Sequence, residues 1–238
     1  MSNPFFRFKQ FTVHHDRCAM KVGTDGVLLG AWAEVGHCTE VLDVGTGTGL
    51  ISLMMAQRNP TATFTAIDID EQAVAQAYDN IINSPFADRM TVEQGDFRKY
   101  APRKPVKFDL VVSNPPYFSN ALLSPDPLRS GARHAVSLTI SELMCASHRC
   151  LKQDGMLALI LPFDQQEELM QTAATHGFFL KRLTIVHPLP EVPPKRLLTE
   201  WTLKQIEGPA QNSLIIERSR HQYSPEYIEL VRDFYLYL

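Results

Sequence analysis

The sequence predicts an α/β fold: a doubly wound, mostly parallel sheet of seven strands with an antiparallel final strand. Apolar, strand-like runs alternate with helical segments between residues 41 and 177, which is typical of a parallel sheet covered on both faces. The last two strand-like segments, residues 179–187 and 198–205, are joined by a proline-rich stretch without a helix. A connection of that kind favours an antiparallel pair at one edge of the sheet.

The first half of the predicted sheet has three strands, two of them followed by helices. Residues 41–45 form an apolar run that ends in glycine, and residues 50–58 have helical character. Residues 63–70 alternate and are β-branched, whereas residues 71–83 contain alanines and no proline, as a helix requires. Residues 90–96 complete this half as a third strand.

The second half continues the alternation. Residues 108–113 predict a buried strand, residues 139–151 a helix and residues 155–162 another apolar strand. A helix over residues 164–176 is predicted to begin at Asp164 as its N-cap and to end at Gly177. Residues 223–238 carry apolar and aromatic residues at helical spacing, which predicts a terminal helix packed on the body.

Length and composition indicate one domain. The chain has 238 residues, of which 45% are hydrophobic, enough for one α/β core and too few for two ordinary domains. We therefore expect a single domain over residues 1–238, with an N-terminal segment at 1–38, a core at 39–205 and a C-terminal extension at 206–238.

Charge and cysteine content argue against several classes of protein. The net charge of −3 gives no support to binding nucleic acid over the whole surface, so such a partner requires a local basic patch. The four cysteines form no CxxC pair, so we expect free thiols and no metal. Neither a membrane span nor a signal peptide is visible. We expect a cytoplasmic protein, by default a monomer.

A glycine-rich segment, DVGTGTG at residues 43–49, lies where the first strand turns into a helix. Glycine lets the backbone approach a ligand, so the segment predicts a nucleotide-sized crevice outside the strand ends. The dinucleotide fingerprint requires glycine where this chain has Leu50, which argues against a pyrophosphate. Asp43, two positions before Gly45, suits instead a ligand that carries an ammonium group.

Two further aspartates end the next two strands. Asp68 lies about twenty residues past the turn, where its carboxylate can accept hydrogen bonds from both ribose hydroxyls. Asp96 can accept from an adenine amine, and the neighbouring Phe97 offers a ring contact. Each aspartate alone could also be a helix cap or a turn former. Three of them at the carboxyl ends of three successive strands indicate a binding site.

This series of motifs resembles that of class I S-adenosylmethionine-dependent methyltransferases, over residues 40–161. The resemblance implies a Rossmann-like methyltransferase fold and S-adenosyl-L-methionine as the cofactor. It also implies that the glycine turn holds the amino acid part, the second-strand acid the ribose and the third-strand acid the adenine. The implied cofactor-binding residues here are Asp43, Gly45, Thr46, Gly47, Gly49, Asp68, Ile69, Asp96 and Phe97.

Asn114, Pro115, Pro116 and Tyr117 directly follow the strand at residues 108–113, and we expect them to be catalytic residues at the same edge of the sheet. A nitrogen conjugated to a ring or carbonyl is a poor nucleophile because its lone pair is delocalised. The Asn114 side-chain oxygen and the Pro115 carbonyl can accept both of its hydrogens, which localises the lone pair. Two prolines make a rigid backbone that presents only acceptors, and Tyr117 offers a flat stacking face.

This tetrapeptide resembles the motif of amino-methyltransferases that modify adenine N6, guanine N2 or glutamine amides, so it indicates the target atom better than the substrate. The leading segment, residues 5–32, and the loop at 193–196 resemble bacterial tRNA (adenine-N6)-methyltransferases that modify the adenosine beside the anticodon of a valine tRNA. That resemblance implies a tRNA partner and a lid over the cofactor that includes Lys21, Thr24 and Asp25.

Three alternatives stay open. An enzyme acting on protein glutamine or on guanine N2 of rRNA would share the tetrapeptide, although glutamine methyltransferases resemble this chain only after a longer helical leading domain. A DNA adenine methyltransferase usually has a target-recognition insertion, for which no segment is long enough. A non-catalytic nucleotide-binding module would bind the cofactor without methyl transfer. Basic residues that could contact RNA phosphates are Arg7, Lys9, Arg17, Lys21, Arg129, Arg133, His134, Lys195 and Arg196.

Overall fold

The computed structural model describes residues 3–18, 20–100, 107–116 and 138–238. Four residues singled out above, Tyr117, Arg129, Arg133 and His134, lie outside the described residues.

The chain begins with a hairpin of β1 (Phe5–Arg7) and β2 (Thr12–His14), followed by α1 (Thr24–Trp32). The next elements alternate between strand and helix: β3 (Glu40–Val44), α2 (Leu50–Arg58), β4 (Thr63–Asp68), α3 (Glu71–Ile82), β5 (Met90–Gln94) and β6 (Phe108–Ser113). The remaining elements are α4 (Ile140–Cys150), β7 (Leu151–Pro162), α5 (Gln166–Thr175), β8 (Phe179–His187), β9 (Arg196–Thr202), β10 (Ala210–Ile215), β11 (Glu217–Ser219), β12 (Gln222–Tyr223) and α6 (Pro225–Val231).

Within the described ranges, eight strands form the central sheet, in the order β10-β8-β9-β7-β6-β3-β4-β5. β9 is antiparallel to β7 and β8, and the other neighbours are parallel. The doubly wound, mostly parallel sheet and the antiparallel pair of β8 and β9 are thus confirmed. The predicted number of seven strands is corrected to eight, because β10 pairs parallel with β8 and takes the edge position.

Both faces of the sheet are covered by apolar side chains. Val41 and Leu42 on β3 are both fully buried, and they belong to two different apolar clusters on opposite faces. This is why the central strands read as continuous apolar runs rather than as alternating ones.

Two helix boundaries differ from the predicted ones. Asp164 lies in a single 3₁₀ turn, Phe163–Gln165, and α5 starts after Gln165 without a side-chain cap, so the Asp164 N-cap was wrong. The predicted end at Gly177 is confirmed, since Gly177 has a φ of +74°. The terminal helix is shorter than expected, since it covers only Pro225–Val231. Ser224 is its N-cap, and the Ser224 hydroxyl accepts from the Tyr227 amide.

Candidate active site

The glycine turn after β3 has a backbone that other residues rarely adopt. Gly45, Gly47 and Gly49 have φ values of +68°, +55° and +80°, which L side chains disfavour. The amides of Gly45 and Thr46 donate to the Ile67 carbonyl at 2.9 and 3.1 Å, which ties the turn to β4. A Cβ atom at Gly45 or Gly47 would meet nothing within 4 Å. These two glycines therefore face an open crevice.

Asp43 lies beneath this turn with only 1% of its surface exposed. Its Oδ2 accepts hydrogen bonds from the Thr46 and Ser52 hydroxyls at 2.7 and 2.8 Å. Its Oδ1 is buried and has no hydrogen-bond partner among the described residues. Burial raises the pKa of Asp43 to about 6. The carboxylate thus braces the turn from beneath, and Asp43 itself lines neither of the two cavities described below.

Asp68 ends β4 and also supports the glycine turn. Its Oδ2 accepts from the Gly47 amide at 2.9 Å and its Oδ1 accepts from the Asp70 amide at 3.0 Å. A carboxylate oxygen has more than one lone pair, so both oxygens can still accept from hydroxyl groups. The neighbouring Ile69 is 43% exposed and places an apolar side chain next to this carboxylate.

Asp96 follows β5 and is held by Arg98, a residue that the sequence analysis did not single out. The Arg98 Nε atom donates to both carboxylate oxygens of Asp96, at 2.8 and 3.0 Å, and Nη2 donates to Oδ2 at 2.8 Å. These hydrogen bonds hold the pKa of Asp96 below its ordinary value. Asp96 is therefore an ionised acceptor in a fixed orientation, beside the buried ring of Phe97.

The second loop follows β6 directly. The Ser113 hydroxyl donates to the Val44 carbonyl at 2.8 Å, which fixes the end of β6 to the end of β3. Asn114 is partly buried, Pro115 is buried and Pro116 is exposed. Because β3 and β6 are parallel neighbours, the glycine turn and this loop leave the sheet side by side.

Both loops line a single pocket of about 380 Å³. Its wall also includes Cys18, Met20, Gly95, Arg98 and Leu138, which no motif in the sequence indicated. A basic residue two positions after Asp96 was the one usable signal among these five. A Cβ atom at Gly49 would instead lie 3.6 Å from Ala77, so this glycine faces α3. The predicted site residues that the structure brings together in this pocket are Gly45, Gly47, Asp68, Ile69, Asp96, Phe97, Asn114, Pro115 and Pro116.

The expected lid residues lie in the wall of a second, adjoining cavity of about 720 Å³. Lys21, Thr24 and Asp25 line it. Asp25 accepts a hydrogen bond from Arg196 Nε at 2.8 Å, which connects the start of α1 with the start of β9. Gly45 and Gly47 of the glycine turn, together with Asn114, line both cavities.

The described residues contain no group of three or more His, Cys, Asp or Glu side chains arranged to hold a metal ion. In the described part of the chain, no helix is both long and apolar enough to cross a membrane. All four cysteines are free thiols.

Comparisons with known proteins identify the family and the fold. Residues 22–176 match the model of the methyltransferase small domain. A tRNA1(Val) (adenine(37)-N6)-methyltransferase of Parabacteroides distasonis is 50% identical over 236 residues, 99% of each chain. The protein of the same description from Bacteroides thetaiotaomicron is 48% identical over 239 residues and the full length of both chains. A solved structure of a predicted O-methyltransferase from Agrobacterium tumefaciens has a TM-score of 0.68 at 20% identity, over 88% of this chain and 96% of that one, and this likeness confirms the Rossmann-like methyltransferase fold.

Proposed function

Because the chain belongs to the methyltransferase small-domain family and to the tRNA1(Val) (adenine(37)-N6)-methyltransferases, we propose that it methylates N6 of the adenosine beside the anticodon, position 37, in a valine tRNA. The observation that supports this most is the single pocket shared by the glycine turn and the Asn114 loop. A methyl donor and a planar amine can meet only if both loops open onto the same space.

The pocket fits S-adenosyl-L-methionine as the methyl donor. The crevice at Gly45 and Gly47 would receive the amino acid part, with the unpaired Oδ1 atom of Asp43 below it. The Asp68 carboxylate would accept from the ribose hydroxyls, and the ionised Asp96 with Phe97 would receive the adenine. When bound, this cofactor supplies a methyl group activated by a sulfonium.

Asn114 and Pro115 prepare the target nitrogen. The Asn114 side-chain oxygen and the Pro115 carbonyl accept the two amine hydrogens and localise the lone pair. No general base is needed before attack, because the proton becomes acidic once the methyl group has arrived. The oriented dipoles of the same acceptors stabilise the positive charge that develops on nitrogen. The Ser113 to Val44 hydrogen bond keeps these acceptors fixed relative to the glycine turn.

The form of the substrate follows from the burial of the Asn114 loop, in which Asn114 is partly buried and Pro115 is buried. An adenine can reach Asn114 only after it leaves its stack, and this costs less free energy in a single-stranded loop than in a duplex. Tyr117, which lies outside the described residues, is proposed to stack on the extruded base. Residues 1–238 would act as one methyltransferase domain and as a monomer, in the cytoplasm where tRNA is modified.

The test is methyl transfer from labelled S-adenosyl-L-methionine to tRNA that lacks its own modification, with nucleoside analysis of the product. The wild-type protein should produce N6-methyladenosine. Asn114→Ala should bind the cofactor as the wild type does and lose turnover by about 10²- to 10³-fold, because one fixed polar group at the reacting centre is typically worth that much.

Asn83→Ala is the matched control. Among the described residues the exposed Asn83 amide donates only to the Asp79 carbonyl of α3, and Asn83 lines neither cavity. It should keep full turnover. Equal turnover of Asn114→Ala and wild type would refute the amine-activation mechanism, and a wild-type protein that methylates no tRNA would refute the proposed function.

A further inference from the structure

The second cavity is positioned to receive the ribose and phosphates that are attached to the target base. Its volume of about 720 Å³ lies within the range of roughly 300 to 1,000 Å³ that is typical of ligand sites. It shares Asn114 with the first pocket, whereas Asp68 and Asp96 line the first pocket alone. If the cofactor occupies the first pocket, a nucleotide whose base reaches Asn114 has its ribose and phosphates in or beside the second.

The wall of this cavity is cationic. Its charged residues, within the described ranges, are Lys21, Lys195 and Arg196 on the positive side and Asp25 on the negative side. Asp25 pairs with Arg196, while Lys195 is exposed and pairs with no carboxylate of the described residues. The described wall thus carries three cationic side chains and one carboxylate, a balance that favours a polyanion.

Topology explains why Lys195 and Arg196 stand at this edge of the sheet. Because β9 runs antiparallel to β7, its first residue, Arg196, lies opposite Pro162, the last residue of β7. The Lys195 amide donates to the Val186 carbonyl at 2.9 Å, and its carbonyl accepts from the Phe163 amide at 3.1 Å. The backbone that carries these two cationic side chains is thus hydrogen-bonded near the ends of both β7 and β8.

Other basic residues from the N-terminal segment have intramolecular contacts away from both cavities. The Lys9 ammonium donates to the Arg232 carbonyl at 2.5 Å, and Arg17 pairs with Asp79 of α3 at 2.7 Å. Neither residue lines the first or the second cavity. Among the described candidates for phosphate contacts, only Lys21, Lys195 and Arg196 line a cavity that also includes Asn114.

We propose that Lys21, Lys195 and Arg196 bind the RNA phosphates that flank the target adenosine and hold the single-stranded backbone while the base enters at Asn114. Asp25 orients the Arg196 guanidinium for this contact. The proposal rests on the proposed function, because it takes the ligand to be the RNA that is methylated. Phosphate contacts carry no sequence information, so these residues act on affinity for RNA and on register, and not on the choice of base.

The experiment measures binding of an unmodified valine-tRNA transcript at several salt concentrations with S-adenosylhomocysteine present. Lys195→Ala with Arg196→Ala should weaken binding about tenfold or more at low salt, and each lost cation should reduce the slope of log K against log salt by about 0.7 to 1. Lys195→Ala alone should leave the affinity for S-adenosylhomocysteine unchanged, because the hydrogen bond to the expected lid residue Asp25 comes from Arg196. Lys195→Gln and Arg196→Gln keep the side-chain length and provide the same test if the alanine variants do not fold.

Replacing one charged phosphate of the RNA with a neutral methylphosphonate tests a single contact. A methylphosphonate on one side of the target adenosine should weaken binding to the wild-type protein, and should have little further effect on the double variant. A methylphosphonate in the helical stem should weaken both proteins equally.

Lys204→Ala is the matched control. Lys204 follows the far end of β9, at the opposite edge of the sheet, and pairs with Asp154. It should bind RNA as the wild type does. Wild-type affinity and salt slope in the Lys195 and Arg196 variants, with methyl transfer by the wild type intact, would overturn this inference and leave the proposed function standing. A wild-type protein that neither binds nor methylates the transcript would overturn both.

Discussion

Asp43 is buried beneath the glycine turn, where its carboxylate has two hydroxyl donors and one oxygen without a partner among the described residues. Burial disfavours the charged form and raises its pKa from 3.8 to about 6. An ammonium group in the crevice would favour the charged form again. Cofactor binding and ionisation of this one side chain are therefore expected to be coupled.

The coupling predicts a pH dependence of cofactor affinity. As the pH falls below about 6, Asp43 takes up a proton, and the affinity for S-adenosyl-L-methionine should fall by up to roughly tenfold per pH unit. Asp43→Asn should bind more weakly at pH 7 and should show no such dependence. Equilibrium dialysis with labelled cofactor between pH 5 and 7.5 measures both.

The pH dependence of folding stability has the opposite sign to that of cofactor affinity, and it serves as the control. Because the folded-state pKa is raised, the buried carboxylate lowers stability above about pH 6, and this cost disappears as the pH falls through that value towards 3.8. Weaker binding at pH 5 thus cannot come from unfolding caused by Asp43. Equal pH profiles for the wild type and Asp43→Asn would contradict the assigned role.

The positions of single site residues were predictable where strand ends determine them. Asp68 ends β4 and Asp96 follows the parallel neighbour β5, so their place at one edge follows from the pattern alone. The hydrogen bonds from the Arg98 guanidinium to Asp96 depend on a side-chain conformation within a short 3₁₀ turn. The periodicity of the sequence does not encode that conformation. The pair of Asp25 and Arg196 joins residues 171 positions apart, and no local pattern predicts such a contact.

At the scale of elements, α1 and α2 pack unusually closely. A Cβ at Gly30 would lie 2.9 Å from the Cβ of Met54, closer than real side chains allow. Met54 Cβ is attached to the backbone and cannot rotate away. The contact helps to fix α1, and with it Thr24 and Asp25, against the helix that follows the glycine turn.

Gly30→Ala should therefore destabilise the protein. Overpacking typically costs about 1 to 3 kcal/mol, and the better helix propensity of alanine offsets up to about 1 kcal/mol of that. The free energy of unfolding, from urea titration, should fall by about 1 to 2 kcal/mol. Gly208→Ala, where a Cβ would meet nothing within 4 Å, should change it by less than about 0.5 kcal/mol. Equal stability of the two variants would show that the helices can separate without cost.

Elements were predicted well where burial leaves a periodic pattern and missed where it does not. Seven of the nine residues of α1 are buried, so this helix has no polar face to indicate its period. β10 lacks an apolar face instead, since its first four residues, Ala210 to Ser213, are exposed. It is an edge strand that is held mainly by backbone pairing with β8. The terminal segment was predicted too long, since its aromatic spacing continues past Val231, where α6 ends.

At the scale of the whole molecule, the parallel sheet gathers the site. The ends of β3, β4, β5 and β6 lie at one edge, so motifs spread over residues 43–116 reach a common pocket. The antiparallel β9 adds its first residues to that same edge. The sequence predicts the first part of this arrangement through strand order, whereas the second cavity depends on how the N-terminal segment packs across the sheet.

A structure of the protein with S-adenosylhomocysteine and an RNA hairpin that contains the target adenosine tests the central claim most directly. We predict that the sulfur atom and adenine N6 lie close enough for one methyl group to bridge them, on the order of 4 Å apart, with the amine held by Asn114 and Pro115. The claim would be contradicted by a sulfur atom outside the pocket of the glycine turn, or by an adenine bound where Asn114 cannot reach it.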